Sequence, residues 1–100
     1  MHIITQKRIN DAKSKYPEAA AGLEHWHKTM KTSRFRDFAE LRSIFGGVDK
    51  VGNLFVFNLG GNKLHLIAAI HFNSGKVFIR HILTHAEYDR NNWKRQEGLQ

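Results

Sequence analysis

The period of apolar positions along this chain changes twice, and each change marks a new kind of element. Ile3 and Ile4 lie in a β-branched stretch, residues 2–5, that reads as a short strand. Ile9, Ala12 and Tyr16 then recur at helical spacing, with Thr5 placed to cap the helix they imply. Pro17 ends that helix at Tyr16, since proline disfavours helical backbone in the residue before it, and can itself open the next. Ala19, Leu23, Trp26 and Met30 continue as one apolar stripe, with Glu24 and Lys28 paired at i,i+4 on another face. A basic stretch, residues 28–36, leads to a shorter helix starting near Asp37. Phe38, Leu41 and Phe45 stripe it and Gly46-Gly47 stops it. From residue 54 the period falls to two. Residues 54–59, 63–72 and 76–83 read as three strands, split by Gly60-Gly61-Asn62 and Asn73-Ser74-Gly75. Turns this short make consecutive strands antiparallel neighbours. A last turn of α- or 3₁₀-helix is expected over residues 89–93.

The pattern predicts an α+β fold: two to three N-terminal helices packed on one face of an antiparallel β-sheet, with the other face open to a substrate. Side chains alternate across a strand, so Leu64, Leu66, Ala68, Ile70 and Phe72 belong under the helices, and Lys63, His65 and His71 point away from them. In the last strand the choice is less clean. Burying an unpaired guanidinium costs more than burying a hydrogen-bonded imidazole, which puts Arg80 on the open face and His81 on the helix side.

One hundred residues suffice for one domain with one modest core; residues 94–100 read as a frayed basic tail. The balance of 16 Lys and Arg against 9 Asp and Glu gives +7 and a pI near 10.1, spread over both halves of the chain. An extended basic surface favours polyanions, nucleic acid or an acidic protein partner. The absence of cysteine excludes disulfides, thiolate catalysis and cysteine-based zinc sites. No apolar run approaches the ~20 residues that span a bilayer, and nothing resembles a secretory signal, so no membrane association and a cytoplasmic location are expected.

The last two strands and the segment after them carry more chemistry than a sheet requires. Lys63, Arg80, His85 and Tyr88 are brought to one edge of the sheet, where the strand end opens into a short helix. Cleavage of RNA needs such a mixture. A base takes the 2′-hydroxyl proton, cations stabilise the charged in-line transition state, and an acid protonates the leaving 5′-oxygen. Histidine can be base or acid, Lys and Arg hold phosphate, and Tyr can stack on a base or donate a proton. His65 and His71 are further candidates for RNA contact. His25 and His27, two apart on a helix, face different ways and cannot chelate one ion; His81 and His85 straddle a helix start. No metal and no cofactor are expected. Glu87 and Asp89 suit capping or pairing with Arg80 or Arg90, Trp26 suits the core, and Trp93 suits either core or recognition.

Taken together, FNLGGNK, VFIRHILTHAEYD and a basic tail resemble the HigB group of bacterial toxins, in the RelE/ParE-like superfamily. The start MHIIT and the helix ending in KYP extend the likeness over most of the chain. The resemblance implies a RelE-like fold and a metal-independent endoribonuclease, an mRNA interferase that cuts messages on the translating ribosome. It also implies a HigA-like antitoxin with a helix-turn-helix domain, through which alone DNA is contacted. On this likeness Lys63, Arg80, His85 and Tyr88 bind or cleave RNA. One position departs from the pattern: the second residue after GGNK is usually arginine, and here it is His65. Two other functions compete, a ParE-like gyrase inhibitor and a non-catalytic RNA- or ribosome-binding module. The His85–Tyr88 cluster argues against the first, whereas charge alone serves the second equally well.

Overall fold

The computed structural model describes residues 1–61 and 63–99. Strand β1 (His2–Ile4) leads into α1 (Gln6–Lys15), a 3₁₀ turn (Pro17–Ala19), α2 (Ala20–Thr32) and α3 (Phe38–Ile44). Strands β2 (Asp49–Val51), β3 (Leu54–Leu59), β4 (Leu64–His71) and β5 (Lys76–Thr84) follow, then α4 (His85–Asp89) and α5 (Asn92–Gln96). The five strands form one sheet in the order β1-β5-β4-β3-β2. β3, β4 and β5 make the expected meander, and β2 extends it as a polar edge strand too short to show a period. The sheet is mixed rather than wholly antiparallel, because β1 lies parallel to β5, separated from it in sequence by all the other strands and three helices.

The principal core lies between the sheet and α1–α3. Ile9, Leu23, Trp26, Met30 and Leu41 enter from the helices, and Phe57, Leu64, Leu66, Ala68 and Val77 from the sheet. The Trp26 and Phe57 rings meet edge to face, 5.5 Å between centroids. Helix α2 approaches the β3–β4 turn closely: a Cβ on Gly22 would lie 2.9 Å from the Gly60 nitrogen. Gly60 and Gly61 hold φ of 60° and 64°, left-handed backbone that a side chain resists. The predicted turn residue Asn62 lies outside the described residues.

Thr5 precedes α1 but does not cap it. Its own φ is 70°, and its hydroxyl donates to the carbonyls of Ile4 and Ile79 rather than accepting from a helix amide. Asp37 does cap α3, accepting the Glu40 N–H at 3.0 Å.

β5 carries a bulge that overturns the expected placement of His81. Ala68 pairs with Ile79 but Ile67 pairs with His81, so Arg80 is an extra residue opposite none. Side-chain parity flips there. Val77 and Ile79 face the helices before the bulge, and Ile82 faces them after it, while His81 and Leu83 turn to the far face. The Arg80 carbonyl accepts from Arg8 of α1 at 2.6 Å.

The far face is covered in its middle. Leu54, Val56, Ile67 and Trp93 are buried there, with Leu83, Tyr88 and Leu99 packed against them. The residues expected to fray, 94–100, instead include most of α5, which Trp93 pins to the sheet at 2 % exposure. Trp93 also donates from its indole N–H to the Tyr88 carbonyl at 3.2 Å. Among the described residues, no helix is long and apolar enough to cross a membrane.

Candidate active site

At the end of the sheet where β5 gives way to α4, three of the predicted residues meet. A reciprocal cap fixes the helix start: Thr84 Oγ1 accepts the Glu87 N–H at 3.2 Å, and the Glu87 carboxylate accepts the Thr84 N–H at 2.9 Å. That hydrogen bond holds the Glu87 carboxyl below its usual range. The cap sets His85 as the first residue of α4, beside β4, where Thr84 pairs with Leu64 and Leu83 with His65.

His65 is the buried member, 4 % exposed. Its Nδ1 lies 2.7 Å from Asn58 Oδ1 on β3, and its Nε2 lies 3.0 Å from Nδ1 of His85. Because an amide oxygen only accepts, Nδ1 of His65 carries the hydrogen and Nε2 is left as the acceptor for His85. The outer nitrogen of His85, Nε2, faces Asp89 Oδ2 at 3.1 Å, with both side chains mostly exposed. The result is a directed chain, Asn58 to His65 to His85 to Asp89, of which only His65 is buried.

Burial, and then the charge of His85, lower the pKa of His65, so this ring stays neutral where free histidine begins to charge. Its stability consequence follows in sign. Below the ordinary histidine value of 6.5 the unfolded chain takes up a proton that folded His65 refuses, so stability falls as pH drops through and below that value. His27 is lowered in the same way by burial and by Lys13 and Lys31, whereas Glu87 and Glu97, also lowered, act only in the carboxylate range. Denaturant titrations at pH 7.5 and 5.5 should therefore show a loss at the lower pH that is smaller in His65→Gln; an equal loss in both proteins would remove His65 as a source.

Tyr88 stacks on His65 at 4.3 Å and on Trp93 at 5.4 Å, the planes inclined by 21° and 16°. Its ring is thus engaged within the protein, which leaves the hydroxyl as its chemical handle. Burial, and then the negative charges of Asp49 and Asp89, raise the pKa of that hydroxyl, keeping it a protonated donor.

The other predicted residues are placed differently. Lys63 is exposed at the β3–β4 turn, two positions before His65 in the chain. Arg80 stands apart in a second cluster: Glu97, just beyond α5, takes Nε of Arg80 at 3.2 Å, Nη2 at 3.1 Å and Nε2 of His81 at 2.8 Å. Both clusters flank Trp93, whose ring lies 6.4 Å from that of His81. His71 is not part of either group; it ends β4, six residues or roughly 20 Å beyond His65, against the edge of Phe78. Among the described residues no group of three or more His, Asp or Glu is placed to hold a metal ion.

Sequence reasoning missed Asn58 and Glu97, and favoured a structural use for Asp89 over a catalytic one. Asn58 had a signal, since a polar residue at an outward strand position opposite His65 is a natural cross-strand partner. Glu97 had none, because its role depends on how α5 docks.

The chain resembles known proteins over most of its length. Residues 19–91 match the sequence model of the HigB toxin family, described as the RelE-like toxic component of a toxin-antitoxin system. The mRNA interferase toxin HigB of Escherichia coli (strain K12) is 39% identical over 92 residues, covering 89% of this chain and 88% of that protein. The mRNA interferase HigB of Shigella flexneri matches to the same extent. That of Escherichia coli O6:H1 is 34% identical over 93 residues, 90% of each chain.

Proposed function

Because this chain belongs to the HigB toxin family of RelE-like toxic components, we propose that it is a metal-independent endoribonuclease that cuts mRNA on the translating ribosome. The observation that carries this reading is the solvent-facing imidazole of His85, held by a neutral, buried His65 and backed by Asp89. A ligand-binding module has no need of a tautomer-defined histidine at its surface, whereas acid–base cleavage of a phosphodiester does.

In the proposed reaction the 2′-oxygen attacks the adjacent phosphorus and the 5′-oxygen leaves. His85 is the general acid–base group, and Lys63 neutralises the charge that builds on the phosphate oxygens. Tyr88 donates its hydroxyl hydrogen to the same phosphate. Arg80 holds a phosphate further along the strand, exchanging the Glu97 carboxylate for it. His65 acts through His85, while His71, if it meets RNA, does so at a distance from the cleaved bond.

Control of such an activity requires a partner. A HigA-like antitoxin with a helix-turn-helix domain would neutralise the toxin in the bacterial cytoplasm, and the pair would reach DNA through the antitoxin alone. Charge complementarity to the +7 chain would speed that association and make its rate fall with added salt.

Brief induction in bacteria, with transcriptome-wide mapping of 5′ ends, tests the reading. Translation should stop with new 5′ ends inside coding regions, and co-expression of the adjacent gene product should rescue growth. Arrest with intact messages and inhibited supercoiling would replace the nuclease by a gyrase inhibitor. Retention of RNA without new ends would reduce the protein to a binding module.

A further inference from the structure

Asn58, an exposed residue of β3, has no part in the proposed reaction, yet it stands at the head of the hydrogen-bonded chain that ends on His85. We infer that Asn58 is a positioning residue: by accepting Nδ1–H of His65 it forces Nδ1–H onto His85 and makes the outer proton of His85, on Nε2, the one that is exchanged with RNA. The inference rests on the reading of His85 as the acid–base group and adds what determines its protonation pattern.

Two hydrogen-bonding patterns are compatible with the ring positions alone. In the first, His65 carries its hydrogen on Nδ1 and gives it to Asn58 Oδ1, so its Nε2 accepts from Nδ1–H of His85. His85 then reaches Asp89 only when Nε2 is also protonated, as an imidazolium. In the second, His65 carries its hydrogen on Nε2 and donates to a bare Nδ1 of His85, which faces Asp89 as a neutral ring with hydrogen on Nε2.

The difference is chemical. An imidazolium gives up a proton near neutral pH; the N–H of a neutral imidazole does not. With its amide oxygen turned to the ring, as in the structure, Asn58 selects the first pattern, because in the second that oxygen would confront the lone pair of His65 Nδ1 at 2.7 Å with no hydrogen between them. The burial of His65, which keeps that ring neutral, ensures that it accepts from His85 rather than competing for charge. Among the described residues, Asp89 acts on His65 and Tyr88, and Asp49 on β2 acts on Tyr88.

In the cleavage step the new P–O2′ bond forms as the P–O5′ bond breaks. The leaving 5′-oxygen takes the Nε2 proton of His85, whose imidazolium becomes a neutral ring with its hydrogen on Nδ1. The 2′-hydroxyl proton passes to water, and Nε2 is reprotonated from solvent. Throughout, Nδ1–H of His85 stays on His65, so the ring need not reorient between turnovers.

The test pairs Asn58→Leu, which removes the acceptor, with Asn58→Asp, which keeps an acceptor at the same place. Nitrogen-15 NMR of the labelled full chain reads the tautomers of His65 and His85, and steady-state cleavage of ribosome-bound mRNA reads kcat and KM. In the wild type both rings should keep Nδ1–H across the titration. In Asn58→Leu both should move hydrogen to Nε2. Its kcat should fall about 10- to 100-fold, by analogy with loss of the outer partner of a metal-bound histidine, with KM little changed. Asn58→Asp should restore the tautomers and most of kcat, with a displaced pH profile. Unchanged tautomers in Asn58→Leu, or equal kcat losses in both variants, would overturn the assignment. If the tautomers move as expected but His85→Ala cleaves as fast as the wild type, the chain of hydrogen bonds stands and the acid–base reading of His85 is what fails.

Discussion

His85→Ala should cut RNA about 10²- to 10⁴-fold more slowly than the wild type, the usual cost of removing a general acid–base group, and should fold normally. Both halves of that expectation come from the geometry. The His85 side chain is 61% exposed and touches the fold chiefly through His65, so its loss opens no cavity. Helix α4 does not depend on it either, because Thr84 and Glu87 hold the helix start. Tyr88→Phe is the companion variant. It keeps the ring between His65 and Trp93 and removes only the hydroxyl, so a lowered rate with an unchanged melting curve would assign the effect to chemistry. Growth arrest as strong as wild type from both folded variants would take the two residues out of the mechanism.

The largest expected effect on stability belongs to Trp93→Ala, at about 3–5 kcal/mol, as for other buried tryptophans truncated to alanine. A small domain has only ~5–15 kcal/mol in total, so a substantial fraction of the variant should be unfolded at growth temperature. The indole is 2 % exposed, closes the second apolar cluster with Leu54, Val56 and Ile67, and carries the Tyr88 ring. Removing it would release α5, and with it Glu97 from Arg80 and His81. Urea unfolding measures the loss, and Trp93→Phe should recover much of it. A cost below ~1 kcal/mol, within the range of ordinary surface changes and conservative repacking, would mean that the C-terminal segment does not belong to the cooperative unit.

The parts of this fold legible in the sequence are those written in long periodic runs. Leu23, Trp26 and Met30 announce the buried face of α2, and the unbroken alternation through Leu64, Leu66 and Ala68 fixes which way His65 points. What alternation cannot give is exposure. His65 points away from the helices as expected but is buried, because α4 folds back over it and Tyr88 lies on its ring. The placement of His81 failed for a local reason: the bulge follows Ile79 with no glycine to mark it, and one extra residue inverts every later side chain. The tail misled by composition. Lys94, Arg95 and Gln96 look like solvated ends, and the single apolar residue that anchors them, Trp93, precedes them.

The candidate site was legible as a set of residue types near one sheet edge and illegible as a circuit. His85 and Tyr88 follow β5 directly, so proximity to its end could be read. Their connection through His65 to Asn58 depends on the register of three strands, which no single stretch encodes. Arg80 was grouped with them by sequence, yet in the structure it answers to Glu97.

The bulge at Arg80 also bears on how this chain could change length. Excise Arg80 alone, and Ile79 remains opposite Ala68 while His81 remains opposite Ile67 as its immediate neighbour: the ladder closes and no core residue changes side. Excise a residue from the middle of β5 on either side of it, and the segment between the cut and the bulge is inverted, exposing an apolar side chain and burying its neighbour. Arg80 is therefore the position where this strand can shed a residue at least harm to folding. A chain that did so would keep its fold without the cation that Glu97 now holds.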